Sequence, residues 1–402
     1  MPEFLQVLTY HQALQILEKN MPPRETEYLP LLGCNQRVLA SDITSPEDMP
    51  AFDRSTVDGY AVRAADTFGS SESLPGMLSL TGEVLMGSKP ILRVGRGQCA
   101  WIPTGGMLPE GSNAAIMVEY TEKLGLDTIL TYRPVAPGEN VMQKGEDVSQ
   151  GEVVFRRGKV LKAQEIGLLA SLGLVRLPVF EAYRIGVIST GDEVIPVDQI
   201  PLPGQVRDVN SFALAAALEA SGAVVQLYPL IKDDYSCLRQ ALEKAWHEND
   251  LILMSGGSSV GVADFSLQAI LSLPDAEVLF HGLAVKPGKP TIGARVGRKL
   301  IIGLPGHPVS ALMIFYTMCA PLISSAAVNQ VKARLTINLA SQAGRDDFVP
   351  VQLLSAPGGP EAQPLLGKSG LMSILARADG YIHLPYEQQG IKGGEIVTVT
   401  RF

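Results

Sequence analysis

A chain of 402 residues with 46% hydrophobic and 18% charged content is globular and long enough for several domains. Its net charge of −8 excludes a general nucleic-acid footprint, while leaving local basic spots free to bind small anions. The four cysteines, Cys34, Cys99, Cys237 and Cys319, are scattered without a CxxC pair, which excludes a zinc knuckle or disulfide framework and predicts buried free thiols.

No basic stretch followed by an apolar core opens the chain, so a signal peptide is not expected. The most apolar run, residues 309–327, contains Pro321 and reads as a buried helix, not a membrane span. A cytoplasmic location is expected.

In chain order, residues 12–20 predict an amphipathic helix with Ala13, Ile16 and Leu17 on one face, and residues 35–40 a second short helix. Residues 49–61 mix prolines with Asp53, Arg54, Asp58 and Gly59 and read as neither helix nor strand. Long irregular polar loops of this kind often carry function. Apolar runs between residues 78 and 132, punctuated by Gly and Pro, predict a small β barrel or sandwich. Its loop Pro103-Thr104-Gly105-Gly106 offers a hydroxyl and backbone donors to a ligand. A hairpin at 152–155 and a helix near 163–172 return the chain to the part begun near residue 22, making the β unit an insertion.

Residues 184–325 alternate strands and helices in the doubly wound manner. Within them, Leu251-Ile252-Leu253-Met254 is the continuous apolar run of a strand buried on both faces. It breaks into Ser255-Gly256-Gly257-Ser258-Ser259, and Asp264 follows where the next helix should begin. Open α/β sheets place phosphate ligands at such strand–loop–helix junctions. Glu193, Asp233 and Asp264 each follow a separate strand and therefore fall along one sheet edge. Three carboxylates there repel one another and call for a cation, which suggests Mg²⁺ on hard oxygen ligands. Lys286 and Lys289, fixed by Pro287 and Pro290, would serve an anion at the same rim. The remainder, residues 331–402, is β-rich and fits a small barrel with Arg345 and Ser369 in its loops.

These motifs occur together: Phe52-Asp53-Arg54-Ser55-Thr56-Val57-Asp58-Gly59-Tyr60-Ala61, Ser189-Thr190-Gly191-Asp192-Glu193, Gly204-Gln205-Val206-Arg207-Asp208-Val209-Asn210, Ser255-Gly256-Gly257-Ser258-Ser259-Val260-Gly261, Lys286-Pro287-Gly288-Lys289-Pro290 and Gly303-Leu304-Pro305-Gly306-His307-Pro308. In this order the chain resembles, over essentially its whole length, the molybdopterin molybdenumtransferase family, the MoeA group that includes the gephyrin E domain. The resemblance implies a multidomain α/β and β fold: a doubly wound α/β (MogA-like) domain, an inserted small β domain, a mixed linking domain and a C-terminal β-barrel. Residues 1–45 and 141–180 would form the linking and dimerisation domain, 46–140 the β-rich insertion, 181–328 the α/β molybdopterin-binding domain and 329–402 the barrel. It further implies a homodimer with the active site in a cleft shared with the partner subunit.

The implied reaction inserts molybdate into adenylylated molybdopterin, with Mg²⁺-dependent release of AMP. Asp58, Thr104, Glu193, Asp233 and Asp264 would be catalytic, with Glu193, Asp233 and Asp264 holding Mg²⁺. Ser255, Gly256, Gly257 and Ser258 would cradle the pterin phosphate, with Pro305 and Pro308 shaping the adjacent wall. Lys286, Lys289, Arg345 and Ser369 would bind molybdate, the arginine fork pairing with oxyanions bidentately. An upstream adenylyltransferase and recipient molybdoenzymes or carriers are the implied partners. Arg54, His307 and Gly282 depart from residues common in the family. Two other readings fit the fold, a molybdopterin adenylyltransferase and a non-catalytic molybdopterin-binding scaffold. The intact acidic set speaks against the scaffold and the four-part chain against the adenylyltransferase.

Overall fold

The computed structural model describes residues 7–256, 262–324 and 328–402, and of residues 262–264 the backbone only. Chain contacts divide it into two compact units, one of Met1–Glu27, Gln36–Val38 and Val179–Phe402, the other of Tyr28–Asn35 and Leu39–Pro178. Helix α1 (Tyr10–Asn20) opens the first unit. Its start is fixed by a capping box, in which the Thr9 hydroxyl accepts from Gln12 N–H and the Gln12 side chain accepts from Thr9 N–H.

The second unit is built on a six-stranded sheet, β1 (Gly59–Val62), β2 (Gly76–Glu83), β3 (Gln98–Ile102), β4 (Ala114–Met117), β5 (Thr121–Leu124) and β6 (Thr128–Thr131), in the order β4-β1-β3-β2-β6-β5. Strand β1 corrects the reading of residues 49–61 as wholly irregular. All four of its residues are buried, because it runs between β3 and β4 and pairs with both. Residues 35–40 are not helical either. A 3₁₀ turn ends at Cys34, and long-range backbone bonds from Leu39 to Lys159 and Ala40 to Pro178 then hold the chain extended. Likewise Val153–Phe155 is no local hairpin: it pairs antiparallel with Ile43–Thr44, far away in sequence. Helix α2 (Ala163–Ser171) forms as expected.

The first unit centres on the sheet of β7 (Arg184–Ser189), β8 (Val224–Leu227), β9 (Leu251–Ser255), β10 (Ala276–His281), β11 (Ile292–Val296) and β12 (Lys299–Leu304), ordered β8-β7-β9-β12-β11-β10. The four strands from β8 to β12 in that order are parallel, and β11 runs antiparallel to both of its neighbours, β12 and β10. In β9, Leu251 and Leu253 join one core with helix α3 (Asn210–Ala220), while Ile252 and Met254 join another with helix α4 (Tyr235–Glu248). A strand alternates its side chains, so an uninterrupted apolar run is what a sheet covered on both faces requires. Each such side chain contributes roughly 1.5–3 kcal/mol. Helix α5 (Val262–Leu271) follows β9, and helix α6 (Pro308–Ile314) follows β12.

The run 309–327 is not one helix. After α6 the chain widens into a π turn, Phe315–Cys319, before the short helix Ala320–Ile323. Pro321 has no N–H to give the carbonyl four residues back, Thr317, and the Tyr10 hydroxyl donates to that carbonyl instead at 2.9 Å. The C-terminal strands β13 (Gln330–Leu335), β14 (Asp346–Ala356), β15 (Gly359–Pro364), β16 (Gly380–Leu384) and β17 (Ile396–Arg401) close into a five-stranded barrel, since β16 pairs with both β17 and β14. None of the four cysteines is in a disulfide, and Cys34, Cys99 and Cys319 are buried as expected. Cys237 is exposed, on the solvent side of the first turn of the amphipathic α4. Among the described residues, no helix is long and apolar enough to cross a membrane.

Candidate functional site

Among the described residues, two cavities of the first unit gather predicted site residues. One, of about 860 Å³, lies at the C-terminal ends of β7, β8 and β9 and gathers Glu193, Asp233, Ser255, Gly256 and Pro308 from the predicted set. The other, of about 670 Å³, gathers Lys286, Lys289, Arg345 and Ser369. Four residues from three separate stretches of the sequence, predicted to bind one anion, therefore meet at one place.

The first cavity is acidic. The Asp233 N–H donates to Asp192 Oδ1 at 3.2 Å, and Asp233 Oδ1 is buried without a partner. Burial raises the Asp233 carboxyl above its ordinary pKa, and the charges of Asp192 and Glu193 raise it further. Gly256 closes the floor at φ +117°, where an added Cβ would stand 2.2 Å from the Thr190 carbonyl oxygen, so only glycine fits. Asn210, for which no role was predicted, ties the walls together. Its Nδ2 donates to Ser255 Oγ at 2.5 Å and to the Gly306 carbonyl at 2.8 Å. The carbonyl can only accept, which fixes the orientation of the amide. Its place at the start of α3, two residues after Asp208, was the available signal.

Pro305 is buried and lines neither cavity. Asp264 is the third residue of α5, and its side chain, with Gly257 and Ser258, lies outside the described residues. Among the described residues no three acidic, His or Cys side chains form a group that could hold a metal ion. Glu193 and Asp233 are thus the described part of the expected Mg²⁺ set. The orphaned Asp233 oxygen, facing like charge, has the chemistry a divalent cation relieves.

The second cavity is basic and stiffly built. The lysine loop is closed by Leu283 N–H donating to the Lys289 carbonyl (2.8 Å) and by Thr291 Oγ1–H donating to the Gly288 carbonyl (2.6 Å). Gly288, at φ +114°, lets this loop lie on α6, since a Cβ there would meet Ile314 Cδ1 at 2.3 Å. Lys286 is held in the short strand Val285–Lys286, parallel to the start of β14. Arg345 precedes that strand and donates from Nε to Asp347 Oδ1 at 2.8 Å. Asp347 also went unpredicted, though a position two residues on in a strand shares a face with Arg345.

The cavities share a wall. His307 and Pro308 line the acidic one, Val309 and Ser310 the basic one. Gly370 faces the first and Ser369 the second, and Val309 N–H donates to the Ser369 carbonyl at 3.1 Å. In the other unit, Asp58 and Thr104 meet directly. Thr104 gives both its N–H (2.7 Å) and its hydroxyl (2.9 Å) to Asp58 Oδ1. These two donors hold the Asp58 carboxyl below the ordinary carboxylate range, the backbone bond more than the hydroxyl.

Comparison with known proteins agrees with this geometry. Residues 8–173 match the MoeA N-terminal region (domain I and II), 186–325 a probable molybdopterin binding domain, and 332–402 the MoeA C-terminal region (domain IV). The chain is 35% identical to the molybdopterin molybdenumtransferase of Haemophilus influenzae, over 98% of this chain and 99% of that one. It is 33% identical to that of Bacillus subtilis, over 93% and 89%. The crystal structure of the molybdopterin biosynthesis moeA protein from Pyrococcus horikoshii OT3 superposes with a TM-score of 0.86 at 33% identity, covering 99% of this chain and 100% of that one. Matched from end to end, the chain belongs to the MoeA family of molybdopterin molybdenumtransferases and is a transferase of molybdenum cofactor biosynthesis.

Proposed function

We propose that this protein inserts molybdenum from molybdate into molybdopterin delivered as its AMP adduct, releasing AMP. The observation that carries this reading is the single wall between an acidic and a basic cavity. A reaction that joins a dianion to an adenylylated substrate needs both, one to hold the oxyanion and one to manage the charge of the pyrophosphate.

Lys286, Lys289, Arg345 and the Ser369 hydroxyl bind and orient molybdate. The loop from Ser255 to Ser258 receives the pterin phosphate through backbone N–H groups, with Pro308 beside it. Glu193, Asp233 and Asp264 would hold Mg²⁺, which their hard carboxylate oxygens suit. When bound, the ion screens the pyrophosphate and polarises its P–O bonds. Asp58, kept ionised by Thr104, adds a fixed carboxylate to the catalytic set. No covalent enzyme intermediate is required. On the same reading the protein is a cytoplasmic homodimer of four-domain subunits, with the boundaries expected from sequence. It takes its substrate from an adenylyltransferase and passes the product to molybdoenzymes or carriers.

The test is AMP release from adenylylated molybdopterin with molybdate, tungstate or neither, each with and without Mg²⁺. Oxyanion-stimulated, Mg²⁺-dependent release with metal incorporation is the expected result. Tight binding without turnover would favour the scaffold, and formation of the adduct from ATP and molybdopterin the adenylyltransferase.

A further inference from the structure

The basic cavity contains one residue of the wrong sign for an anion site. Asp347 lines it together with Lys286, Lys289 and Arg345, and its side chain is only 5% exposed. It lies between two of the cations. Its neighbour across the parallel pairing is Lys286, and it accepts from Arg345 Nε at 2.8 Å and from Nη2 at 3.4 Å. The adjacent Asp346 points the other way, where Oδ1 meets His383 Nε2 at 2.7 Å, so only Asp347 faces the cavity.

A carboxylate in an oxyanion site repels the ligand, and its presence needs a compensating role. Of the five N–H donors on an arginine, two are committed to Asp347 and three are left for a ligand. The guanidinium, about one-third exposed, would otherwise sample many rotamers. Three cations and one carboxylate also leave the lining with two net positive charges, matching a tetrahedral dianion.

We propose that Asp347 is a positioning residue for oxyanion capture, locking the Arg345 fork with its free N–H edge turned to the ligand. This rests on the reading of the basic cavity as the oxyanion site. Because Asp347 acts through Arg345, its removal has opposite effects in two backgrounds. With Arg345 present, losing the lock weakens binding. With Arg345 absent, only the repulsion of Asp347 remains, and losing it strengthens binding.

The experiment is equilibrium dialysis of molybdate, and separately tungstate, against the full chain without pterin, in four forms: wild type, Asp347→Asn, Arg345→Ala and the double variant. Asp347→Asn should bind about tenfold more weakly than wild type. In the Arg345→Ala background the same change should tighten binding by about twofold to threefold. In turnover, Asp347→Asn should raise the KM for molybdate and leave kcat and the KM for the pterin substrate unchanged. Equal losses in both backgrounds, or no loss in the first, would overturn the proposal. If Arg345→Ala binds molybdate as wild type does, the cavity reading itself fails and the proposal falls with it. Should Asp347→Asn not fold, Arg345→Lys makes the same test from the other side. Lysine keeps the charge without the fork, and undiminished oxyanion binding by that variant would overturn the proposal.

Discussion

The two cavities of the first unit differ in how their charge is handled. In the basic cavity the lysines sit on a loop closed by two hydrogen bonds, and Arg345 is paired with Asp347. In the acidic cavity charge is left unrelieved. Burial, and then the charges of Asp192 and Glu193, raise the Asp233 carboxyl above its ordinary pKa, and one of its oxygens is buried and unpartnered. On the proposed function, an oxyanion site and an acidic site whose carboxylates suit a cation lie back to back across residues 306–310. On that function, the difference teaches that the basic cavity binds the oxyanion and the acidic cavity carries the reaction.

The sharpest way to break that division is to remove the acids. Glu193→Ala or Asp233→Ala should lower AMP release by about 10³-fold or more, while molybdate binding changes less than about twofold. Arg345→Ala should do the reverse, raising the KM for molybdate by about 100-fold with pterin affinity intact, as expected for loss of a bidentate charge-assisted contact. Steady-state kinetics with each substrate varied in turn reads both. If an acid variant loses oxyanion affinity as severely as Arg345→Ala does, the cavities are one site and the division is wrong.

Much of this was legible in sequence because it depended on local pattern. The apolar run 251–254 announced a strand covered on both faces, and the residues after β7 and β8 announced an edge where Glu193 and Asp233 would meet. What was not legible depended on distant partners. Residues 59–62 carry a strand only because β3 and β4 flank them, and nothing within residues 35–40 reveals the bonds to Lys159 and Pro178. Pro321 was visible, but the hydroxyl that satisfies the carbonyl it orphans comes from Tyr10, some three hundred residues away. Asn210 and Asp347 were missed for a related reason. Neither is the charge that a ligand sees first, and each acts by holding other groups in place.

A smaller effect sharpens the contrast through stability. A carboxyl whose pKa is raised in the folded state adds stability that is complete below its ordinary pKa and lost as pH rises through the raised value. At neutral pH, ionised Asp233 is therefore a cost, reduced by solvent because the group is only partly buried. Asp233→Asn should melt about 1–3 °C above wild type at neutral pH, and the gap should close below about pH 4. Mg²⁺ should raise the wild-type melting temperature and leave the variant's unchanged. A variant that melts lower than wild type at neutral pH would show that the acidic cavity is not under strain.

The smallest effect concerns the acid outside both cavities. Asp58 has its carboxyl lowered by Thr104, so the stability it contributes is present above the ordinary carboxyl pKa and lost as pH falls through the lowered value. Thr104→Val keeps the backbone donor and removes the hydroxyl, which returns the Asp58 pKa part of the way upward. Turnover at neutral pH should fall by about fivefold, the value of one modest hydrogen bond, because Asp58 stays ionised there. The acid limb of the pH–rate profile should move to higher pH. Thr104→Ser, which keeps the hydroxyl, should leave both nearly unchanged. A limb that stays in place in Thr104→Val would mean that Asp58 does not set it. Asp58 would then stand apart from the strained acids at β7 and β8, and the reacting charge would belong to Glu193 and Asp233.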